Sequence, residues 1–469
     1  MNNKSFASMR PSTWLARMAV VLPGILFYLL LLKSWVNLPI ADDYDAVLAF
    51  GNRFAELSGS GQRILHVLTY QHNEYKLIFE NTLIALQIGI AGHVSFQQLV
   101  LLGNAFVLVL FLLLVLMYRA PGDSETERLV LLLPVSLLFF QLQYASTLNW
   151  AMISLQGVTV LVFSLLAILL ICRKGVRAGL IFGCACISLV LAICSSGNGF
   201  IAGMTCLLVL VQQKRWKQTA VWLALLFGIT MVYFYRYSFH TSQSDGPRSV
   251  GGILAQLNPA YALSFMGSSL AAYQSYVPSV CFGIVLCALV IFAIRRRYYL
   301  VNPAVFYSMV FIVVTAMGVS GTRSHLGILQ SLASRYRIYS NLLVIFSYMF
   351  LTETYWREGK VASRKLAIFS LAFAIVCCMA FCGASDRAGY RFLKGRKQAV
   401  LEAMSEWQHP SAMGVANVAT SQQNAIVRRQ MEAGIFKPDG PVLLDSIRLG
   451  IYRPPTVPLA PVLIQGASQ

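Results

Sequence analysis

Acidic residues are scarce in this chain. Only 18 of the 469 residues are Asp or Glu, charged residues of both signs make up 12%, and hydrophobic residues make up 57%. The mean hydropathy is +0.65. A soluble domain of this size could not bury so much apolar surface. The composition therefore excludes an ordinary soluble protein and indicates an integral membrane protein, whose spans need roughly 20 apolar residues each.

Several other features are missing as well. No small-residue cleavage site follows the first apolar run, so we expect residues 18–38 to be a retained helix and not a signal peptide. The ten cysteines lie in or at the ends of apolar runs without the flanking ligands of a zinc site. This favours packing roles and no disulfide framework. The net charge of +19 comes without a basic soluble domain, so no nucleic-acid partner is expected.

The apolar segments predict an all-α polytopic membrane protein with about eleven transmembrane helices. With the N-terminus in the cytoplasm, the cytoplasmic segments hold eighteen Lys and Arg residues. The exterior loops up to residue 384 hold eight. This asymmetry agrees with the positive-inside rule. The predicted spans are 18–38, 97–117, 129–143, 151–171, 178–194, 199–211, 218–235, 279–294, 303–320, 338–352 and 366–384.

The predicted topology divides the chain into two parts. Residues 1–384 form the transmembrane domain, and residues 385–469 form a small exterior tail without a recognisable catalytic motif. The start of this tail, 387–397, is basic and could rest on anionic headgroups.

The first exterior loop, 39–95, is long and concentrates the acidic residues. We expect helix 45–57, a break at 59–61, a polar turn at 70–75, and an amphipathic helix at 76–90 that lies in the membrane interface. A third of all acids in one loop of an acid-poor chain indicates chemistry at this place. The six are Asp42, Asp43, Asp45, Glu56, Glu74 and Glu80.

Asp42 and Asp43 are the candidate catalytic residues. A carboxylate held at the membrane surface can take a proton from an acceptor hydroxyl or bind a metal ion. The alternative is structural: Asp43 would cap the helix that begins at Tyr44 and interact with its dipole. His72 and Glu74, in the polar turn, are candidates for a metal or cavity site, with an exposed turn as the alternative.

Two further segments carry candidate residues. Arg335 and Tyr336 stand at the exterior start of a late helix, and Arg323 lies in the preceding loop beside His325. Arginine is suited to bidentate binding of phosphate, although arginines at helix ends often only reach toward headgroups. Asn198, in the segment 196–199, lies either in a tight turn or in a notch of the cavity floor.

These segments together resemble the GT-C glycosyltransferases, which are multispanning enzymes that take a sugar from a polyprenyl-phosphate donor. The closer resemblance is to a bacterial branch with an acidic first loop, a His-Asn-Glu segment, a Ser-Gly-Asn-Gly segment and an Arg-Tyr segment before a late helix. Here these are Asp42-Asp43, 72–74, 196–199 and Arg335-Tyr336. The residue after the Glu is usually His or a similar group, and this chain has Tyr75 followed by Lys76.

The resemblance implies an inverting enzyme of the bacterial inner membrane that transfers sugar on the exterior face. The acceptor would be a glycan, a lipid or a protein. Arg335, with Tyr336 and Arg323, would hold the donor phosphate. Asp42 or Asp43 would remove the acceptor proton, and the first acid of the pair is the favoured base. The resemblance requires no cofactor and leaves a divalent metal ion open.

Two other functions remain as alternatives. A lipid-linked glycan polymerase or ligase relies more on exterior Arg and His, and Arg236, His240 and Arg248 in the loop 236–278 fit that function. A flippase or transporter is the second alternative. Coupled ion transport requires charged residues inside the spans, and the apolar runs here are nearly free of charge.

Overall fold

The computed structural model describes residues 11–173, 178–238, 250–271, 275–356, 364–409 and 439–457. Across these ranges the secondary structure is helical and contains no strand; isolated bridge residues occur at His72, which pairs with Tyr75, and at Ser275. The expected all-α architecture is confirmed.

The first ten helices run from the N-terminus to the middle of the bundle. A π-helical turn, Tyr44–Ala49, leads into α2, and a second, Ser154–Val158, joins α8 to α9. A 3₁₀ turn, Leu142–Tyr144, precedes α7. The helices are α1 (Pro11–Leu32), α2 (Phe50–Glu56), α3 (Ser60–Thr69), α4 (Ile78–Ala91), α5 (Phe96–Met117), α6 (Glu125–Phe139), α7 (Ala145–Leu148), α8 (Ala151–Ile153), α9 (Thr159–Cys172) and α10 (Ala178–Ser195).

The remaining helices complete the bundle. Short 3₁₀ turns at Ser268–Leu270, Ser324–Leu326 and Ile328–Leu332 connect some of them. The helices are α11 (Asn198–Gln212), α12 (Trp216–Phe234), α13 (Val250–Ala255), α14 (Pro259–Met266), α15 (Val277–Arg295), α16 (Tyr298–Val301), α17 (Pro303–Arg323), α18 (Ser334–Tyr355), α19 (Arg364–Gln408) and α20 (Gly440–Arg448).

Nine helical segments of the described chain are long and apolar enough to cross a membrane, which indicates a multi-pass membrane protein. Two predicted spans are not among them. The run 199–211 lies in α11, which is only 15 residues long. The run 338–352 lies in α18, which has 22 residues but contains more polar side chains. The nine are Ser12–Leu32, Phe96–Met117, Glu125–Leu148, Ala151–Cys172, Ala178–Ser195, Trp216–Phe234, Val277–Arg295, Pro303–Leu326 and Phe369–Ser405.

The first span differs from its predicted position. α1 begins at Pro11 and ends at Leu32, six residues before the predicted end at 38. Its polar start is stabilised because Arg17 pairs with Glu125 at the beginning of α6. Beyond Leu32 the chain turns, and the Ser34 hydroxyl donates to the Leu31 carbonyl.

α9 lies at the centre of the bundle. Most of its fourteen residues are buried, and it packs against α5, α10, α11 and α17. A helix that is apolar on all sides is expected in such a central position. The span Ala151–Cys172, which contains α9, therefore passes from the segment that contacts the first loop to the opposite end of the bundle.

The first loop contains one helix more than the sequence predicts. The expected helix 45–57 is present as the π-helical turn followed by α2. After the break comes α3, which was not predicted, then the expected polar turn and α4. α4 ends at Gly92 with φ +74, a conformation that glycine adopts without steric cost.

The predicted boundary between residues 384 and 385 falls inside α19, which continues unbroken for 45 residues. Beyond it, α20 packs on the first loop: the Ser446 hydroxyl donates to Asn52 Oδ1 over 2.8 Å. The Tyr452 hydroxyl donates to the Asn37 carbonyl over 2.7 Å. The described part of the tail is thus folded against the residues that follow α1.

We expect Gly389→Ala to destabilise the protein and Gly383→Ala, on the same helix, to leave it unchanged or slightly more stable. A Cβ at Gly389 would lie 2.3 Å from the Leu142 carbonyl oxygen, whereas a Cβ at Gly383 meets no atom within 4 Å. Replacing Gly by Ala inside a helix ordinarily gains up to about 1 kcal/mol, but forced separation of packed backbones costs about 1–3 kcal/mol. Thermal unfolding in detergent measures both. A Gly389→Ala protein as stable as Gly383→Ala would contradict the close approach of α19 to Leu142.

Candidate functional site

Asp43 is buried, with 1% of its surface exposed. One carboxylate oxygen accepts from the Ile40 backbone N–H over 3.0 Å, and the other accepts from the Met152 backbone N–H over 2.9 Å. The side chain makes no cap bond to the helical turn that follows it. The N-cap alternative is therefore wrong, because both oxygens are used by backbone donors outside that turn. Asp43 instead connects the first loop to the start of the span Ala151–Cys172.

Burial raises the pKa of the Asp43 carboxyl to about 7. The two backbone hydrogen bonds and the positive charge of Arg396 act in the opposite direction. Desolvation disfavours the charged form of a carboxyl group and here outweighs the groups that favour it.

Glu80, on α4, is a second buried carboxyl group that the sequence did not single out. It is 1% exposed, and neither carboxyl oxygen has a hydrogen-bond partner among the described residues. Burial, and next the charge of Asp43, raise the pKa of Glu80 well above its ordinary value. Two nearby carboxyl groups in such surroundings do not both ionise readily.

Arg396, on α19, is the cation of this buried group. It is 4% exposed, its Nη1 donates to the Ser146 carbonyl over 2.9 Å, and its guanidinium stacks 5.3 Å from the Trp150 ring centre. The sequence assigned Arg396 to the surface of an exterior tail. Its burial beside Asp43 could not be anticipated, since 350 residues separate the two in the chain.

Asp42 differs from its neighbour. Its side chain is 39% exposed, and Oδ2 lies 3.9 Å from His72 Nε2, whose ring is largely buried. Asn73 Nδ2 lies 3.0 Å from the same ring nitrogen. Asp42 is therefore the acid of the pair that is accessible to a reactant, and a histidine lies beside it.

The turn 72–75 brings several predicted residues together. It closes through two backbone hydrogen bonds between His72 and Tyr75, each 2.9 Å long, and Asn73 adopts the left-handed conformation with φ +48. The Glu74 carboxylate accepts from Arg323 Nη2. The same nitrogen donates to the Tyr75 hydroxyl over 2.7 Å. Arg323, at the end of α17, is thus fixed against the turn.

Arg335 lies in the first turn of α18, with its guanidinium 5.2 Å from the Tyr336 ring centre. No ion pair involves it among the described residues. Tyr336 is buried against Phe265. Burial raises the pKa of Tyr75 to about 12, and the positive charges of Arg323 and Arg335 oppose that effect. Of the two arginines, Arg323 contacts the Tyr75 side of the turn directly.

Asn198 lies at the tight turn between α10 and α11, which confirms the turn interpretation. Its Nδ2 donates to the Tyr339 hydroxyl over 2.9 Å, one helical turn beyond Arg335 on α18. Gly199 permits the turn because a Cβ there would lie 2.4 Å from the backbone of Ala192.

Other predicted residues take no part in this arrangement. His325 is exposed in its 3₁₀ turn, and Arg236 stacks on the neighbouring Tyr235. His240 and Arg248 lie outside the described residues. No group of three or more His, Cys, Asp or Glu side chains in the described ranges is arranged to hold a metal ion.

The candidate site thus has two parts: the buried group Asp43, Glu80 and Arg396, and the turn 72–75 with Asp42 on one side and Arg323 on the other. Comparison of the chain with protein families, with characterised proteins and with solved structures gives no match.

The raised pKa of Asp43 makes folding stability depend on pH in a definite direction. The folded protein binds this proton more tightly than the unfolded chain, whose Asp pKa is about 4. Stability should therefore fall as the pH rises from about 4 to about 7. Asp43→Asn removes that dependence, so we expect the variant to gain stability relative to the wild type over this window. Thermal unfolding in detergent at several pH values measures the difference. Asp45→Asn, at an exposed position, is the control, and an unchanged slope in Asp43→Asn would contradict the buried, proton-binding state.

Proposed function

We propose that the chain is a GT-C-type glycosyltransferase that moves a sugar from a polyprenyl-phosphate donor to an acceptor. In this proposal the nine apolar spans are joined by α11 and α18 to make eleven crossings. The N-terminus is cytoplasmic, and the first loop and α20 lie on the exterior face of a bacterial inner membrane. The coincidence of all eleven predicted runs with helices supports the topology, as does the distribution of Lys and Arg.

One observation carries the proposal: an accessible carboxylate and an arginine flank the same turn. Asp42 lies beside His72 at one end of the turn, and Arg323 binds Glu74 and Tyr75 at the other. A transferase of this kind needs a base near the acceptor hydroxyl and cations near the departing phosphate. In this proposal both sets of groups act on a single sugar beside the turn 72–75.

Asp42 is the proposed base and Asp43 the supporting residue. The exposed side chain of Asp42 can meet an acceptor hydroxyl, whereas both oxygens of Asp43 already accept backbone hydrogen bonds inside the protein. His72 lies beside Asp42, with its Nε2 3.9 Å from Asp42 Oδ2.

Arg335 is the proposed main ligand of the donor phosphate. Its guanidinium has no carboxylate partner in the described chain, and it projects from the N-terminal turn of α18, where backbone N–H groups favour anions. Arg323 is already paired with Glu74, so it would add charge from behind the phosphate. Tyr336 would position Arg335 through the contact of its ring with the guanidinium.

The proposed reaction is a single displacement at the anomeric carbon. The acceptor oxygen, of a glycan, lipid or protein, forms the new bond as its proton passes to Asp42. The bond between the anomeric carbon and the phosphate oxygen breaks, and the polyprenyl phosphate leaves with the electron pair. The arginines stabilise the charge that develops on the phosphate. The configuration at the anomeric carbon inverts.

Asp42→Asn tests the base. The amide keeps the size of the side chain but cannot accept a proton at neutral pH, so we expect turnover to fall by about 10²–10⁴ while donor binding persists. Transfer of labelled sugar from a panel of polyprenyl-phosphate hexoses and pentoses to envelope acceptors measures turnover. Asp45→Asn, an exposed acid three residues away, is the control and should retain activity. Full activity of Asp42→Asn would exclude Asp42 as base, and full activity of the double variant with Asp43→Asn would exclude the whole loop.

Arg335→Lys tests the phosphate contact. Lysine keeps the positive charge but lacks the planar fork that binds two phosphate oxygens at once. We expect the apparent Michaelis constant for the donor to rise about 5- to 30-fold, which corresponds to about 1–2 kcal/mol of lost charge-assisted hydrogen bonding. Arg53→Lys, at an exposed position paired with Glu56, is the control. If Arg335→Ala transfers sugar at the wild-type rate at low donor concentration, Arg335 does not bind the donor.

A further inference from the structure

A cavity of about 780 Å³ lies at the end of the bundle opposite Asp43. The span Ala151–Cys172 relates the two places: Met152, near its start, binds Asp43, and Cys172, its last residue, lines the cavity. A helical segment of this length extends about 30 Å, which is the thickness of the hydrocarbon layer. The thickness of the hydrocarbon layer therefore separates the cavity from the candidate catalytic site.

Three cationic side chains from three different connections line this cavity: Arg119 after α5, Arg173 after α9, and Lys214 after α11. None of the described residues that line it is acidic, and no ion pair involves the three cations within the described chain. Like charges that share a cavity repel one another, and the repulsion is relieved when an anion lies between them.

A buried carboxylate, that of Glu353, fixes the positions of two residues that line the cavity. Glu353, on α18, accepts from the Arg119 backbone N–H over 2.8 Å and from Asn302 Nδ2 over 3.0 Å. Arg119 Nη1 also donates to the Val301 carbonyl over 2.6 Å. Arg119 and Asn302, which both line the cavity, are thus positioned before any ligand arrives. Arg173 and Lys214 have no such side-chain hydrogen bonds among the described residues, so they can move toward an anion.

The cavity is also bordered by apolar side chains. Leu116 and Leu300 line it and are 51% and 68% exposed. At the end of a membrane helix, such exposed leucines meet lipid chains. The cavity therefore combines three cations that form no ion pair among the described residues with an apolar border, which fits a phosphate group attached to a hydrocarbon tail better than a free polar anion.

We propose that this cavity binds the phosphate headgroup of an anionic lipid, with Arg173 and Lys214 on the phosphate and Arg119 supporting them. The positive-inside rule explains basic residues at this end of the helices, but it does not require them to converge on one cavity. Basic pockets between membrane helices are known binding sites for such headgroups. The proposal is independent of the glycosyltransferase function and concerns a different end of the molecule.

The test compares two doubly substituted proteins that lose the same charge. Arg173→Gln with Lys214→Gln removes the two mobile cations, and Lys217→Gln with Arg295→Gln removes two exposed cations of the same end that do not line the cavity. Purified protein in an uncharged maltoside detergent is titrated with dioleoyl phosphatidic acid, dioleoyl phosphatidylcholine and glycerol 3-phosphate. Native mass spectrometry counts the bound molecules, and thermal unfolding of the ligand-free proteins verifies folding.

We expect the wild-type protein and the Lys217/Arg295 variant to bind phosphatidic acid with similar affinity, well above that for phosphatidylcholine. The Arg173/Lys214 variant should bind it about 30-fold more weakly, since each cation near a membrane surface contributes roughly a factor of five. An equal loss of affinity for phosphatidic acid in both variants would show that the lipid responds to the general surface charge, and this result would overturn the proposal. Binding of glycerol 3-phosphate as tight as that of the lipid would overturn the lipid assignment in favour of a soluble phosphate.

Discussion

The arrangement of the candidate site depends on the two hydrogen bonds that Asp43 accepts. They attach the segment after α1 to the start of the span Ala151–Cys172, the most buried segment of the bundle. An unpaired carboxylate at this depth would be costly, whereas one that satisfies two backbone N–H groups also removes two unsatisfied donors. Burial raises the pKa of this carboxyl to about 7, although the two hydrogen bonds favour its ionised form. The accessibility of Asp42 follows, because its neighbour is directed into the protein.

The site is assembled from the two ends of the described chain. The first loop contributes the acids, and α19 contributes Arg396, while α20 and Tyr452 cover the outer side of the loop. The turn 72–75 then links this assembly to α17 through Arg323. A rigid first loop is thus achieved by packing against helices, without a disulfide bond or a separate folded domain. This suits a site at a membrane surface, where loops have few other partners.

The sequence predicted much of this fold, and the reasons for its failures are physical. Long apolar runs identify membrane helices because the bilayer demands them, and each of the eleven runs overlaps a helix for most of its length. The sequence did not predict α3 because this ten-residue helix contains several polar residues and no long apolar run. The sequence also did not show that the helix continues past residue 384, because α19 becomes polar there while its backbone stays helical. Glu80 and Arg396 carried no sequence signal, since burial of a charged residue depends on partners far away in the chain.

The order in which the chain is synthesised gives α19 a particular importance. The first loop leaves the ribosome early, and its buried acids then lack Arg396 until more than three hundred further residues have been made. A polypeptide that stopped at the end of the apolar part of α19 would insert every membrane helix, yet would expose the carboxyl groups of Asp43 and Glu80 to water on their open side. Completion of α19, and not insertion of the earlier helices, would then distinguish a mature molecule from an incomplete one.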